Sequence, residues 1–233
     1  MAQWGMTIDL DRCDGCSSCV VACQAENNIP VAGPEAASRG AAIAWIRIER
    51  RIEGTWPDVR MRSMPALCQH CDDAPCVPAC PVSATYEEAE GLNVQVYSRC
   101  VGLRFCAGAC PYAVRFVNFI DPVWDEPLAS QLNPDVPLRE AGHIEKCTFC
   151  VQRIRRARQR PDDRGRPPGE SEVAPACAQS CPTQAIVFGD LDDAGSRVAK
   201  SARDARAFRH LEEAGTGPRV IYLRDARGPG DAS

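Results

Sequence analysis

The stretch at residues 13–23 reads CDGCSSCVVAC, and the rest of the chain is organised around it. Its four cysteines follow the pattern C-x2-C-x2-C-x3-C, in which three thiolates of one short loop hold an iron–sulfur cluster and the fourth reaches a second cluster. Gly15 lets the backbone of such a loop pass close to the inorganic core, because glycine has no Cβ. The spacing therefore predicts iron–sulfur chemistry.

The composition agrees with a core that is partly inorganic. The chain has 233 residues, of which 15 are cysteine and 6% are aromatic, so we expect one or two domains whose folding is coupled to metal insertion. The net charge of −4 gives no reason to expect a nucleic-acid partner. No apolar run reaches the ~18 residues of a membrane helix, and we expect neither a direct membrane span nor a signal peptide.

Two other interpretations of the cysteines are disulfides and structural zinc. An odd number of cysteines, many in C-x2-C pairs, argues against a secreted disulfide framework. Zinc commonly uses two separated C-x2-C pairs. Three cysteines in one loop, followed by a fourth, favour iron–sulfur clusters over both.

Three further cysteine groups follow the first. They are Cys68, Cys71, Cys76 and Cys80 before Pro81; Cys100, Cys106 and Cys110 before Pro111; and the split group Cys147, Cys150, Cys177 and Cys181 before Pro182. The third group repeats the first when Arg99-Cys100-x-Gly102 is aligned with Arg12-Cys13-x-Gly15, and Leu103 then falls on Cys16.

Leucine has no donor atom, so the iron at that corner would lack a protein ligand. The vacancy could leave a 3Fe–4S cluster, be filled by water or another side chain, or prevent a fourth cluster. The retained cysteines argue against the last outcome, and an apolar leucine disfavours an ordered water. We therefore predict a 3Fe–4S cluster at this position.

Alternating apolar and polar residues predict the strands, and the cysteine loops lie between them. We expect strands at 5–10, 92–97, 114–119, 185–188 and 219–223, an inserted β-hairpin over 41–66, a surface crossing at 121–142, and helical parts at 24–30, 151–156 and 190–214. The predicted fold class is α+β, with two ferredoxin-like cluster-binding units, one inserted in the other, plus the hairpin and loops. The outer unit comprises 1–67 and 143–233, and the inner unit comprises 68–142.

At this point the chain resembles a known family, the four-cluster iron–sulfur subunits of the dimethyl sulfoxide reductase superfamily. The resemblance rests on the order of the cysteine groups, on CQHCDDAPC at 68–76 and on EKCTFC at 145–150. RCVG at 99–102 before a non-cysteine, and QLNPDV at 131–136, favour the branch of polysulfide reductase, quinone reductase complexes and alternative complex III.

The resemblance implies how the cysteines are shared, because the last cysteine of one group serves the cluster of its partner group. It implies three 4Fe–4S clusters and one 3Fe–4S cluster, with iron bound only through cysteine. The 4Fe–4S ligands are Cys13, Cys16, Cys19 and Cys181; Cys23, Cys147, Cys150 and Cys177; and Cys68, Cys71, Cys76 and Cys110. The 3Fe–4S ligands are Cys80, Cys100 and Cys106.

The resemblance also implies a function without catalytic residues of its own. Members of this family relay electrons between a large molybdopterin-type subunit and a quinone-reactive NrfD-type membrane subunit, and the 3Fe–4S centre lies at the quinone-facing end. We expect peripheral attachment to the membrane through the partner, and we favour the periplasmic face over the cytoplasmic face. The alternatives are a free-standing polyferredoxin that serves soluble oxidoreductases and a redox-sensing or structural metal protein.

Several residues near the cysteines have two interpretations each. His70 either donates to cluster sulfur or is an exposed loop histidine. Lys146 and Arg104 either raise a cluster potential or are solvated surface cations. The basic run 153–160 either docks a partner or is a solvated helix face, and Tyr112 is interpreted as packing rather than a quinone contact.

Overall fold

A computed structural model describes residues 1–159 and 172–225. The strands are β1 Trp4–Asp9, β2 Ile46–Thr55, β3 Asp58–Leu67, β4 Thr85–Glu87, β5 Asn93–Gln95, β6 Phe116–Val117, β7 Ile144–Glu145, β8 Ile186–Asp190, β9 Ala207–Arg209 and β10 Val220–Leu223. The α-helices are α1 Ser18–Glu26, α2 Pro34–Ser38, α3 Phe105–Gly108, α4 Val151–Gln159, α5 Ala176–Gln179 and α6 Arg197–Ala202, and 3-10 turns cover Tyr97–Arg99, Leu128–Gln131 and Glu212–Ala214. Within the described ranges, every helix is too short or too polar to span a bilayer.

A four-stranded sheet in the order β8-β1-β10-β9 brings distant parts of the chain together. Strand β1 is parallel to β10 and antiparallel to β8, with Ile8 opposite Ile186. The carboxyl end of β1 therefore lies beside the start of β8. Because the first cysteine loop follows β1 and Cys181 precedes β8, the sheet places these two parts of the chain at the same edge.

The core beneath this sheet is built from aromatic and aliphatic side chains. Trp4 stacks on Phe188 with ring centroids 5.4 Å apart, and Phe149 meets Phe188 edge to face at 5.1 Å. Helix α6 packs against β8 and β1. Both faces of β1 are covered, so Thr7 is buried as fully as its apolar neighbours Met6 and Ile8.

The predicted hairpin is present as β2 and β3, which pair antiparallel from Ile46–Leu67 to Thr55–Asp58 around a two-residue turn at Trp56 and Pro57. Its inner end is buried, whereas residues 50–61 are exposed throughout. The strands are longer than the alternating runs in the sequence, because cross-strand pairing continues where the side chains become charged.

Two short ladders support the middle of the chain. Strands β4 and β5 pair at Thr85 and Gln95, and β6 pairs with β7 at Phe116 and Glu145. The strands predicted at 92–97 and 114–119 are therefore present but shorter than expected. Helix α4 is present as predicted, and α1 ends at Glu26, within the segment 24–30 where a short helix was expected to finish. The proline- and glycine-rich segment after α4 falls largely outside the described residues.

The crossing at 121–142 is an irregular segment, as predicted, but one part of it is buried. The amide of Asn28 donates to the carbonyls of Asn133 and Val136 at 2.9 and 2.8 Å, which holds this part of the crossing against the body. Arg139 is 2% exposed, and its guanidinium donates to Glu145 Oε2 at 3.0 Å. The prediction of a pure surface crossing was wrong here, because composition alone does not reveal a buried ion pair.

Candidate metal centres

The first and third cysteine loops adopt the same backbone conformation, as their internal alignment predicts. Gly15 and Gly102 have φ values of 73° and 70°, and Ser17 and Arg104 both have φ 65°. Ser17 directly precedes helix α1, and Arg104 directly precedes helix α3. A side chain at Gly102 would also collide with the backbone of the 142 turn, so glycine is required there for two independent reasons.

Each Cys-Pro pair outside the first group opens a tight turn. The third residue after the cysteine has a left-handed backbone in all three turns, at Ser83, Ala113 and Gln184. In two of them the next amide donates to the cysteine sulfur, from Ala84 N to Cys80 at 3.2 Å and from Ala185 N to Cys181 at 3.3 Å. Burial acts to raise the pKa of Cys80, but backbone N–H donors, first that of Ala84, lower it overall.

None of the 15 cysteines is paired in a disulfide of the kind considered above. We name their neighbourhoods set 1 (Cys13, Cys16, Cys19 and Cys181), set 2 (Cys23, Cys147, Cys150 and Cys177), set 3 (Cys68, Cys71, Cys76 and Cys110) and set 4 (Cys80, Cys100 and Cys106). In set 1, burial and then the charges of the other three members raise the pKa of Cys19 to about 11. In set 2, the same two causes raise the pKa of Cys23 well above its ordinary value.

The cysteines within set 3 and within set 4 are also close to one another. In set 3, burial raises the pKa of Cys71 to about 12; the hydrogen bond to Thr216 opposes this, and the other three thiolates add to it. In set 4, the three cysteines line one small cavity together with Leu103. The structure thus brings together cysteines that are far apart in sequence, above all Cys181 in set 1 and Cys23 in set 2.

Neighbouring thiols also connect one set to the next. Burial raises the pKa of Cys177 in set 2, and the charge of Cys19 in set 1 adds to it. Burial likewise raises the pKa of Cys147, with the charge of Cys68 in set 3 among the further causes. For Cys106 in set 4, burial is again the largest cause of a raised pKa and Cys76 in set 3 contributes. Thiols of set 1 and set 2, of set 2 and set 3, and of set 3 and set 4 are therefore neighbours.

Exposure differs between the ends of this series and its middle. All four thiols of set 2 are buried, as are three of the four in set 3. In set 1, Cys16 is exposed and two further thiols are half-buried, and in set 4 only Cys106 is buried. The series has an enclosed middle and two accessible ends.

The donor chemistry fits iron–sulfur clusters. Among residues 1–159 and 172–225, no three His, Cys, Asp or Glu side chains converge as ligands of one metal ion. Zinc needs four ligands, with thiolates about 2.3 Å from a single ion, whereas the irons of a cluster occupy separate corners, each with its own thiolate. Thiolates held this close repel one another unless a cation lies between them, because burial removes the screening of water.

Two basic side chains that the sequence placed beside cysteines are fully buried. His70 stacks on Phe149 at 3.8 Å and accepts from Asn93 N at its Nδ1, 3.1 Å away. Burial lowers its pKa well below the ordinary value, so the interpretation of an exposed loop histidine was wrong. Lys146 donates to the carbonyls of Asn93 and Cys147, and it is not the solvated cation considered above.

Arg115 is a buried cation beside the thiols that was not predicted from the sequence. Its Nη2 donates to Cys76 Sγ at 2.9 Å, to Thr85 Oγ1 at 2.9 Å and to Asn93 Oδ1 at 2.7 Å. Burial acts to lower the pKa of Arg115, but the thiolates of sets 3 and 4, first Cys76, raise it. A charge inside the apolar run 114–119 was the available signal.

Asn27 was also missed. Its Nδ2 lies 3.5 Å from Cys23 Sγ and 3.8 Å from Cys150 Sγ, so one amide donor contacts two thiols of set 2. It is positioned by its own hydrogen bond to the carbonyl of Cys23 at the end of α1. Side-chain donors of this kind are the usual means by which a protein tunes a cluster.

The remaining candidates are resolved by their contacts. In the basic run, Arg153 donates to both carboxylate oxygens of Glu26, and the next two ion pairs of helix α4 are Arg156–Asp135 and Arg158–Glu90. Arg153 thus holds the start of α4 to the body, whereas Arg155, Arg156 and Arg158 are exposed, as expected of a solvated helix face. Docking by this run stays a prediction, and residue 160 lies outside the described ranges. Arg104 is exposed over the ring of Phe119, as expected of a surface cation. Tyr112 is buried with its hydroxyl 2.6 Å from Thr216 Oγ1, which confirms packing.

Comparison with known proteins assigns the chain to a family. Residues 59–124 match the model of a 4Fe-4S dicluster domain. The chain is 41% identical to the iron–sulfur cluster-binding subunit of menaquinone reductase from Nitratidesulfovibrio vulgaris, over 95% of this chain and 88% of the relative. It is 36% identical to a predicted dimethyl sulfoxide reductase iron–sulfur subunit of Halobacterium salinarum (99% and 82% covered) and 35% identical to the arsenate respiratory reductase iron–sulfur subunit of a Shewanella species (94% and 95%). The chain therefore belongs to the family of iron–sulfur electron-transfer subunits of the dimethyl sulfoxide reductase type.

Proposed function

We propose that this protein is the non-catalytic electron-transfer subunit of a multisubunit oxidoreductase and relays electrons through four clusters in the order of sets 1 to 4. The observation that carries the proposal is the enclosed middle and accessible ends of the cysteine series. Electrons must enter and leave at the ends, while the inner clusters need protection from water and oxidants. A structural metal protein would need neither the series nor the two ends.

The cofactors we propose are three 4Fe–4S clusters and one 3Fe–4S cluster. Sets 1, 2 and 3 each supply four thiolates, and set 4 supplies three. Leu103 lines the cavity of set 4 and offers no donor atom, which supports a missing iron at that corner. Such clusters carry one electron at a time over a wide range of potentials. The chain sets those potentials through amide donors, Asn27 and the buried cations.

The fold proposed for this relay is a pair of ferredoxin-like units, with 68–142 inserted between 1–67 and 143–233. The central sheet supports this division, because it joins β1 to β8 and β10 and thereby closes the outer segment on itself. Set 3 and set 4 draw all their thiols from 68–142. Sets 1 and 2 draw theirs from the two flanking segments.

We propose a partner at each end of the relay. At set 4 the surface is apolar, with Val101, Leu103 and Phe105 all more than half exposed, which suits an NrfD-type, quinone-binding membrane subunit. At set 1 the partner is a large subunit of the molybdopterin type. The chain would then be held at the membrane through its partner, and we favour the periplasmic face.

The test is purification of the native complex through a tag on this chain, followed by iron analysis and electron paramagnetic resonance. We expect a large subunit and a polytopic subunit in the complex, and a 3Fe–4S signal in the oxidised state that disappears on mild reduction. Full electron-transfer activity of a lone, partner-free protein would support the shuttle alternative instead. A fully loaded protein with no 3Fe–4S signal would refute the proposed composition.

A further inference from the structure

The outer half of the β2–β3 hairpin has two different faces. We call residues 50–61 the hairpin tip. Because side chains alternate across a strand, Ile52, Val59 and Met61 lie on one face of the tip, and they are 75%, 42% and 62% exposed. The opposite face carries polar and charged side chains: Arg51, Glu53, Thr55, Asp58 and Arg60. The tip is therefore an amphipathic ribbon whose apolar face is left uncovered by the described part of the chain.

The apolar face points to the same side as set 1. Arg50 and Ser63 are cross-strand partners, and both contact the first cysteine loop at Gly15, Arg50 through a hydrogen bond of 3.4 Å to its carbonyl. The next rung outward on that face is the pair Ile52 and Met61. At about 3.4 Å per residue, this rung lies roughly 7 Å along the strands from the Arg50–Ser63 rung that contacts the loop.

The loop beneath the tip is also where set 1 is open. Cys16 follows Gly15 and is the exposed thiol of set 1. A body that covers Ile52 and Met61 therefore also covers the entrance to set 1. The location of the apolar face is thus tied to the place where an electron would cross between proteins.

We propose that the hairpin tip is a docking arm whose apolar face is seated in a groove of the redox protein that exchanges electrons with set 1. The inference rests on the proposed relay, which makes that protein the large subunit. Trp56 at the turn is 86% exposed and supplies the large aromatic anchor that such contacts favour. Both edges of this two-stranded ribbon are also open to strand addition within the described residues.

Charge indicates what surrounds the groove. The hairpin tip carries three arginines, at 50, 51 and 60, against the two carboxylates Glu53 and Asp58, so it is cationic by one charge in a chain of net charge −4. A partner with an acidic border around an apolar groove complements it. A bilayer on this face would seal Cys16 from any protein, which is why we choose a protein over a lipid surface.

The test compares two variants that each add one carboxylate, on opposite faces of the same arm. Met61→Asp places it on the apolar face, and Thr55→Asp is the matched control on the charged face. The probe is the purified large subunit that accompanies the wild-type chain in the complex, and the measurement is its affinity for the cluster-loaded chain. We expect Met61→Asp to weaken binding about tenfold or more and Thr55→Asp to change it by less than about twofold. In both variants, the spectra of the clusters and of the folded chain should match those of the wild type.

A milder variant keeps the test decisive if Met61→Asp fails to load its clusters. Ile52→Ser should weaken binding about threefold to tenfold, because it removes apolar area without adding charge. Unchanged affinity for Met61→Asp or Ile52→Ser, or equal losses for Met61→Asp and Thr55→Asp, would overturn the docking arm. A cluster-loaded wild-type chain that does not bind the large subunit would instead refute the proposed function.

Two other occupants are distinguished by the same variants. If the wild-type chain sediments as a dimer and the Met61→Asp variant sediments as a monomer, the face belongs to a second copy of the chain and the proposal is overturned. If Met61→Asp abolishes binding to vesicles of phosphatidylethanolamine and phosphatidylglycerol while affinity for the large subunit stays constant, the face belongs to a membrane, with the same consequence.

Discussion

Replacing Arg115 by glutamine should lower the reduction potentials of the clusters at sets 3 and 4. Arg115 is 6% exposed, and all four hydrogen bonds of its guanidinium end on neutral oxygens or on a cysteine sulfur. Its positive charge therefore acts on the thiolates and on whatever they bind. Removing a cation beside a cluster disfavours the added electron, so the sign of the change is downward.

The magnitude follows from the distance. Arg115 Nη2 lies 2.9 Å from Cys76 Sγ, and the electron on a cluster is spread beyond that sulfur. At roughly 6 Å and an effective dielectric constant of about 20, one unit charge contributes about 3 kcal/mol. One electron corresponds to ~2.3 kcal/mol per 100 mV. We therefore expect a decrease on the order of 100 mV at set 3, and a smaller one at set 4.

The assay is a redox titration followed by electron paramagnetic resonance, on protein whose iron content matches the wild type. Arg104→Gln is the matched control, because Arg104 is an exposed arginine of the same cysteine region and water screens its charge. Arg115→Lys retains the charge and loses the forked geometry, so it should recover most of the potential. Equal shifts for Arg115→Gln and Arg104→Gln, or a change below about 20 mV, would refute the electrostatic reasoning.

Three further outcomes are expected. Leu103→Cys supplies the missing thiolate, so iron analysis should find one more iron per chain and the 3Fe–4S signal should disappear; an unchanged signal would contradict the vacancy. Cys181→Ser should alter the spectrum of the cluster at set 1 and spare that of set 2, and the reverse result would show that the sets are wrong. Glu145→Ala leaves the buried charge of Arg139 without its carboxylate and should cost about 3–5 kcal/mol of stability. The half-buried Arg47–Glu49 pair, which keeps more contact with water, is the comparison, and its loss in Glu49→Ala should cost less than about 1 kcal/mol, as followed by anaerobic thermal unfolding.

The cysteine loops could be predicted from sequence because their geometry is local. Spacing, one glycine and one proline determine how a short loop turns, and Gly15 and Gly102 have nearly equal φ values. Strand alternation near the cysteines predicted β1, the hairpin and β8 for the same reason. Errors were largest for β5 and β6, because pairing covers only Asn93–Gln95 and Phe116–Val117, whereas alternation predicted strands over 92–97 and 114–119.

The surroundings of the thiols could not be predicted in the same way. His70, Lys146 and Asn93 meet in one buried group, although they come from three separate parts of the chain. A basic residue next to a cysteine in sequence is far more often solvated than buried, so the positions of His70 and Lys146 in the sequence favour the wrong interpretation, that of exposed side chains. Only the packing of 68–70 against 93 and 146–149 removes these side chains from water.

By itself the sequence indicated iron–sulfur chemistry, the cysteine groups, their internal repeat and the leucine at position 103 where the first group has Cys16, because each depends on residue type and short spacing. The tertiary structure decided which distant cysteines become neighbours, the burial of Arg115 and Lys146, and the exposure of the hairpin tip. The reason is physical: thiolate spacing is a property of a loop, whereas screening and burial depend on which distant segments cover a side chain. Parallel pairing of β1 with β10 is the clearest case, since it joins residues more than 200 positions apart.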